Sequence, residues 1–106
     1  MKKPIVAVDF AGVICDMKTR LPGKTMGVPI QGALDALQDL YDHYHVIIHS
    51  TMANSPSGRK AVADWLEFYD IDYHELVGKP TADYYIDDHA VKFKGWSDVK
   101  KQLGID

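Results

Sequence analysis

Four sets of polar residues in this chain stand next to short, largely apolar runs. They are Asp9 after Ile5-Val6-Ala7-Val8, Ser50 and Thr51 at the end of the run begun by Val46-Ile47-Ile48, Lys79 just before the run from Ala82 to Ile86, and Asp87-Asp88 after Tyr84-Tyr85-Ile86. Each type has a use in phosphoryl transfer. A lone carboxylate can act as a nucleophile and carry an acyl phosphate. A carboxylate pair supplies the hard oxygen donors that Mg²⁺ prefers. A hydroxyl and an ammonium can hold phosphoryl oxygens and offset the charge that builds on them. Taken singly, each has a plainer reading: Asp, Ser and Thr open turns, and most lysines are solvated. The adjacent Asp87 and Asp88 repel each other straight after an apolar run, which a cation would relieve. The joint pattern carries the weight.

The elements that would position these groups follow from periodicity. Ile5 to Val8 lacks alternation and reads as a strand buried on both faces of a parallel sheet, with Asp9 at its carboxyl end and Gly12 allowing a close turn. Met17 to Val28, with Pro22, Gly23 and Gly27, reads as a loop or a small irregular hairpin. Ile30, Ala33, Leu34, Leu37, Leu40 and Tyr41 mark a helix with Pro29 at its start. His45 to Ser50 is a second buried strand. After the loop Thr51 to Gly58, Ser57 is the expected N-cap of a helix bearing Val62, Trp65, Leu66 and Tyr69 and ending at Asp70 to Asp72. Tyr73 to Val77 is a weaker third strand, Ala82 to Ile86 a fourth, and Ser97 to Leu103 a last helix stopped by Gly104. Alternation of this kind predicts an α/β fold: a three-layer α/β/α sandwich around a Rossmann-like parallel sheet. Parallel strands would gather all four sets on one edge.

A length of 106 residues predicts a single domain, residues 1–106, with a core of its own. With 46% hydrophobic residues, 25% charged residues and a net charge of −3, nothing points to nucleic acid held by a basic field. Cys15 is the only cysteine, so the expected setting is reducing and cytoplasmic. No apolar run reaches the roughly 18 residues of a membrane helix, and no membrane partner is expected. His43, His45, His49, His74 and His89 show no zinc-type spacing. Cys15 reads as a packed small hydrophobe, and Lys18, Arg20 and Lys24 as a solvated loop that an anionic substrate could meet.

In order and spacing, Asp9, Ser50, Lys79 and Asp87-Asp88 resemble the four motifs of the haloacid dehalogenase (HAD) superfamily of phosphohydrolases. The stretch from Gly78 to Ala90 is especially similar to small members without a large cap domain. That resemblance implies Mg²⁺-dependent hydrolysis of a phosphomonoester through an aspartyl-phosphate on Asp9. It makes Asp9 nucleophile and metal ligand, Ser50 (with Thr51 as fallback) the phosphate-binding hydroxyl, and Lys79 the group that steadies nucleophile and phosphate. Asp88 would ligate the metal directly, with Asp87 beside it. An uncapped site is open to a large phosphorylated substrate or to closure by another subunit of a homo-oligomer. Receiver domains use similar ingredients, but their acidic pair comes first in the chain and their phosphoacceptor later, the reverse of the order here.

Phosphatases of the superfamily carry a second Asp two residues after the nucleophile, which protonates the leaving oxygen and then activates water. Here that residue is Ala11. Its backbone carbonyl can still meet Mg²⁺, as the family uses it, but a methyl group moves no proton, and such catalysis is worth about 10²–10⁴-fold. Three accounts compete: an engineered Asp-to-Ala change in an otherwise intact enzyme, a naturally silent phosphate- or protein-binding module, or chemistry that needs no acid there. Phosphonoacetaldehyde hydrolases, which cleave a C–P bond, carry Asp-x-Ala-Gly, which Asp9-Phe10-Ala11-Gly12 resembles. They draw a Schiff-base lysine from a cap domain for which this chain has no room.

Overall fold

In the computed structural model, which describes residues 3–105, Ile5–Asp9 (β1), His45–Ser50 (β2) and Glu75–Gly78 (β3) form one parallel sheet in the order β1-β2-β3. Val8 stands level with Ile48 and Asp9 with His49; Ile48 stands level with Leu76 and Ser50 with Gly78. The helices are Ala33–His43 (α1), Pro56–Phe68 (α2) and Trp96–Leu103 (α3), with short 3₁₀ turns at Met17–Thr19 and Thr51–Asn54. The α/β class and the parallel sheet are therefore as the alternation of elements predicts. No helix among the described residues is long and apolar enough to cross a membrane.

One hydrophobic cluster ties these elements together. Val8 and Phe10 from the first strand region meet Val46 and Ile48 of β2, Leu37 and Leu40 of α1, Val62 and Leu66 of α2, and Trp96 and Val99 of α3. The helices supply these residues at three- and four-residue spacing, which puts them on one stripe.

Helix boundaries are set by local polar chemistry. α1 begins at Ala33 rather than Ile30, because the Ile30 N–H is drawn to the Ile14 carbonyl (2.8 Å) and Gly32 turns the chain at φ +86°. The cap of α2 is Ser55, not Ser57: its Oγ accepts the Gly58 N–H at 3.1 Å, and Pro56 occupies the first turn, where no donor is missed. Asp70 at φ 55° carries the chain out of α2, and the Ile71 N–H returns to the Leu66 carbonyl.

Two expectations fail for reasons that matter to the site. β1 is not buried on both faces: Val8 is covered, but Ile5 is 67% exposed and Ala7 is exposed too. Ala82 to Ile86 does not form a fourth strand; every residue from 80 to 92 is exposed. Only Lys79, Pro80 and Thr81 separate Gly78 from Ala82, whereas a parallel crossover ordinarily takes a dozen or more residues. The far edge of β1 thus stays open. The Pro4 carbonyl accepts from His45 N–H, and Phe10 N–H donates to the His49 carbonyl. By the alternation of a parallel ladder, the polar groups of Ile5, Ala7 and Asp9 then point away from β2.

The unequal burial makes a direct prediction. Ile48→Ala, deep in the cluster, should lower the unfolding free energy by about 2–5 kcal/mol. Ile5→Ala, of nearly the same composition, should cost under about 1 kcal/mol. Urea titration of both variants measures the contrast.

Candidate functional site

Asp9 leaves β1 at the carboxyl edge of the sheet, and both of its side-chain oxygens are engaged. Oδ1 accepts the Phe10 N–H at 3.0 Å, and Oδ2 lies 3.5 Å from the Lys79 ammonium. The latter is an ion pair rather than a tight hydrogen bond. It is sheltered, the Lys79 side chain being 13% exposed and that of Asp9 34%. Behind Asp9, the buried ring of Phe10 meets Trp65 of α2 edge-on at 5.0 Å, so the backbone at the carboxylate is anchored in the core.

Lys79 is held along its length. Asn54 grips its backbone from the 3₁₀ turn after β2, Nδ2 donating to the Lys79 carbonyl (2.8 Å) and Oδ1 accepting its N–H (2.9 Å). The Tyr85 ring lies 4.0 Å from the ammonium, a cation–π contact, while the Tyr85 hydroxyl donates to the Pro80 carbonyl at 2.6 Å. Asn54, Tyr85 and His49 all bear on the site and were not singled out by spacing. Asn54 and Tyr85 act on one lysine from distant or exposed segments, which no local pattern betrays; His49 shares the level of Asp9 in the register, visible only once the strands are aligned.

A groove of about 590 Å³ runs along the open edge of β1. All five β1 residues line it, as only an edge-on groove allows, and Asp9, His49, Lys79, Tyr85 and Asp87 share it. Asp88 faces solvent, 93% exposed, 3.9 Å from the equally exposed His89. Asp87 Oδ1 accepts the His89 N–H at 2.8 Å. Ser50 is buried, and its Oγ accepts the Met52 N–H at 3.1 Å, capping the 3₁₀ turn; Thr51 is exposed at the start of that turn. The structure therefore joins Asp9 with Lys79, brings Asp87 to the same groove, and keeps Ser50 and Asp88 outside it.

The loop after Asp9 is pinned by two indoles. Trp96 Nε1–H donates to the Val13 carbonyl and Trp65 Nε1–H to the Gly27 carbonyl, both at 2.9 Å. A Cβ at Gly27 would collide with the Asp16 carbonyl, which is why glycine stands there. Ala11 sits at the head of this loop; neighbouring bonds run from Gly12 N–H to Cys15 and from Cys15 N–H to Phe10, and the Ala11 carbonyl takes none among the described residues. Cys15 is fully buried, and burial pushes its thiol pKa up, as befits a packed hydrophobe. Lys18, Arg20 and Lys24 are exposed.

The other histidines serve elsewhere. His43 bonds the Asp39 carbonyl within α1, and His45, hydrogen-bonded to Glu75 at 2.7 Å, stacks on His74 at the opposite end of the sheet. Among the described residues, no cluster of three or more His, Cys, Asp or Glu is placed to hold a metal ion. Compared with family models, curated proteins and solved structures, the chain matches none of them.

His49 makes the site's protonation legible. Burial pushes its pKa below the usual value, the Lys79 ammonium pushes it further, and Asp9 opposes both. A depressed folded-state pKa means that the unfolded chain takes the proton first as pH falls. His49 thus contributes stability that is present above its unfolded pKa, about 6.5, and lost below it. Between pH 7.5 and 5, Tm should fall further in the starting protein than in His49→Asn, as thermal melts across that window will show.

Proposed function

We propose that this chain is a small HAD-like phosphohydrolase scaffold, with Asp9 as nucleophile and Lys79 as the cation that holds its carboxylate and the incoming phosphoryl group. The observation that carries the reading is the sheltered Asp9–Lys79 pair at the carboxyl edge of a parallel sheet, on a groove shared with Asp87. Open α/β sheets bind their ligands at that edge.

In the reaction, an Asp9 oxygen attacks phosphorus while the ester oxygen leaves with its bonding pair and takes its proton from bulk water, no side-chain acid standing at Ala11. Water then cleaves the aspartyl-phosphate and regenerates the carboxylate. Lys79 disperses charge on the phosphoryl oxygens.

The donor set suits Mg²⁺: Asp9, the unengaged Ala11 carbonyl, and Asp87 with Asp88 are hard oxygen ligands. Bound there, the ion would offset negative charge on both carboxylate and phosphate. Asp9 and Asp87 already share the groove, and an ion held between them would draw the Tyr84–Ile86 end of the exposed segment toward the open edge of β1. From Gly78 to Ala82 the chain spans at most about 14 Å, no more than the width of three strand spacings, also about 14 Å, so Ala82 stays off that edge and only Tyr84–Ile86 can approach it. Hydrogen exchange followed with and without Mg²⁺ tests this. The Ala7 and Asp9 amides and the Tyr84–Ile86 stretch should gain protection with the ion, and Asp87→Asn with Asp88→Asn should abolish the gain.

Ala11 favours a second reading, a phosphate-binding domain that does not turn over. With Mg²⁺, Ala11→Asp should raise hydrolysis of a generic aryl or alkyl phosphate by about 10²–10⁴-fold, and Asp9→Asn in that background should remove it. A flat response across a broad ester panel would leave only the binding reading, and activity persisting in Asp9→Asn would sink the nucleophile assignment.

A further inference from the structure

Asn54 engages Lys79 in the way one strand residue engages another. Its carboxamide takes both polar groups of a single peptide unit's residue, N–H and C=O, from 25 positions earlier in the chain. Such a two-point grip fixes where the Lys79 Cα stands and which way the side chain leaves it. Its neighbour Gly78 is shaped to fit: a Cβ there would collide with Asn54 Oδ1, and Gly78 is not among the positive-φ glycines. Close approach, not backbone freedom, is what requires glycine at 78.

A lysine ammonium rides on a flexible four-carbon stem. Here the stem is nearly covered, its head lies between Asp9 and the Tyr85 ring, and its base is gripped by Asn54. Asn54 itself closes the 3₁₀ turn whose Met52 N–H is capped by Ser50 Oγ. The grip therefore joins two segments, the Ser50–Thr51 turn and the Gly78–Lys79 turn, at a single carboxamide.

We propose that Asn54 and Gly78 form a latch that sets the Lys79 ammonium against Asp9, which makes Asn54 a positioning residue for the anion site. Its consequence for phosphate rests on the phosphohydrolase reading; the latch itself does not. Both hydrogen bonds are in contact with solvent, so the effect is moderate, about three- to tenfold for the pair.

The test reads Lys79 directly. Amine acylation mapped by mass spectrometry should find Lys79 among the slowest lysines. Asn54→Ala should speed its modification about three- to tenfold with the other lysines unmoved. Asn54→Asp, which keeps the acceptor and loses the donor, should recover part of the protection. Gly78→Ala, which pushes the carboxamide away while leaving Asn54 in place, should resemble Asn54→Ala. An unchanged Lys79 rate in a folded Asn54→Ala protein overturns the latch, whatever Gly78→Ala does. Binding of inorganic phosphate with Mg²⁺ separates the two layers of the proposal. If Lys79→Met binds phosphate as well as the starting protein, the phosphate reading fails while the acylation result still decides the latch. If Lys79→Met loses phosphate and Asn54→Ala does not, Asn54 does not position the lysine for that site.

Discussion

Because β1, β2 and β3 run parallel with Asp9 level with His49 and His49 level with Val77, all three carboxyl ends emerge along one edge. Three separate turns must then start within a strand spacing or two of each other: the loop after Asp9, the 3₁₀ turn after Ser50 and the Gly78–Lys79 turn. A one-residue slip of β1 against β2 would send Asp9 to the opposite face and put Val8 in its place. What forbids the slip is burial, since Val8, Val46 and Ile48 sit in the core while Ile5 and Ala7 do not. The covered row sets the register, and the register sets the chemistry.

Polar groups then do what packing alone cannot. Two indole N–H groups hold the Asp9 loop at Val13 and Gly27, and one carboxamide holds Lys79. Each fixes a backbone carbonyl in a segment with no ladder of its own, which gives irregular chain a defined place without a strand or helix. Glycine 27 and glycine 78 follow from the same demand, because close approach of another group leaves no room for a side chain.

Much of this was legible in the residues. The Ile/Val runs of β1 and β2 announce parallel strands, and the stripes on α1 and α2 mark the faces they bury. The misreadings share a cause: local pattern was read without the geometry of connection. Tyr84-Tyr85-Ile86 has a strand's composition, but three connecting residues leave it beside β1 rather than on it. The unbroken run Ile5 to Val8 suggests two covered faces, yet burial depends on what else reaches β1, and its outer edge meets only a groove. Ser55 outcompetes Ser57 as the cap of α2 because Pro56 fits best just inside the helix. Asp9 and Lys79 could be paired from motif order; Asn54 could not, since its partner is a backbone rather than a side chain.

On the phosphohydrolase reading proposed above, the site would separate two tasks that phosphate chemistry usually joins. Holding an anion needs fixed positive charge and donors, and Lys79, clamped at its base and sheltered along its stem, provides the charge at low reorganisation cost. Moving a proton to a leaving oxygen needs a titratable group beside it, and the side chain at Ala11 has none. His49 is a poor substitute: burial and the Lys79 ammonium both disfavour its charged form, against a smaller opposing effect of Asp9, so the proton-donating imidazolium is disfavoured there. The same ammonium that favours an anion at Asp9 thus disfavours an acid at His49. If the proposed phosphohydrolase reading holds, Lys79 and Ala11 together would bias the site toward binding phosphate over releasing it, and a carboxylate at position 11 is the smallest change that would reverse the bias.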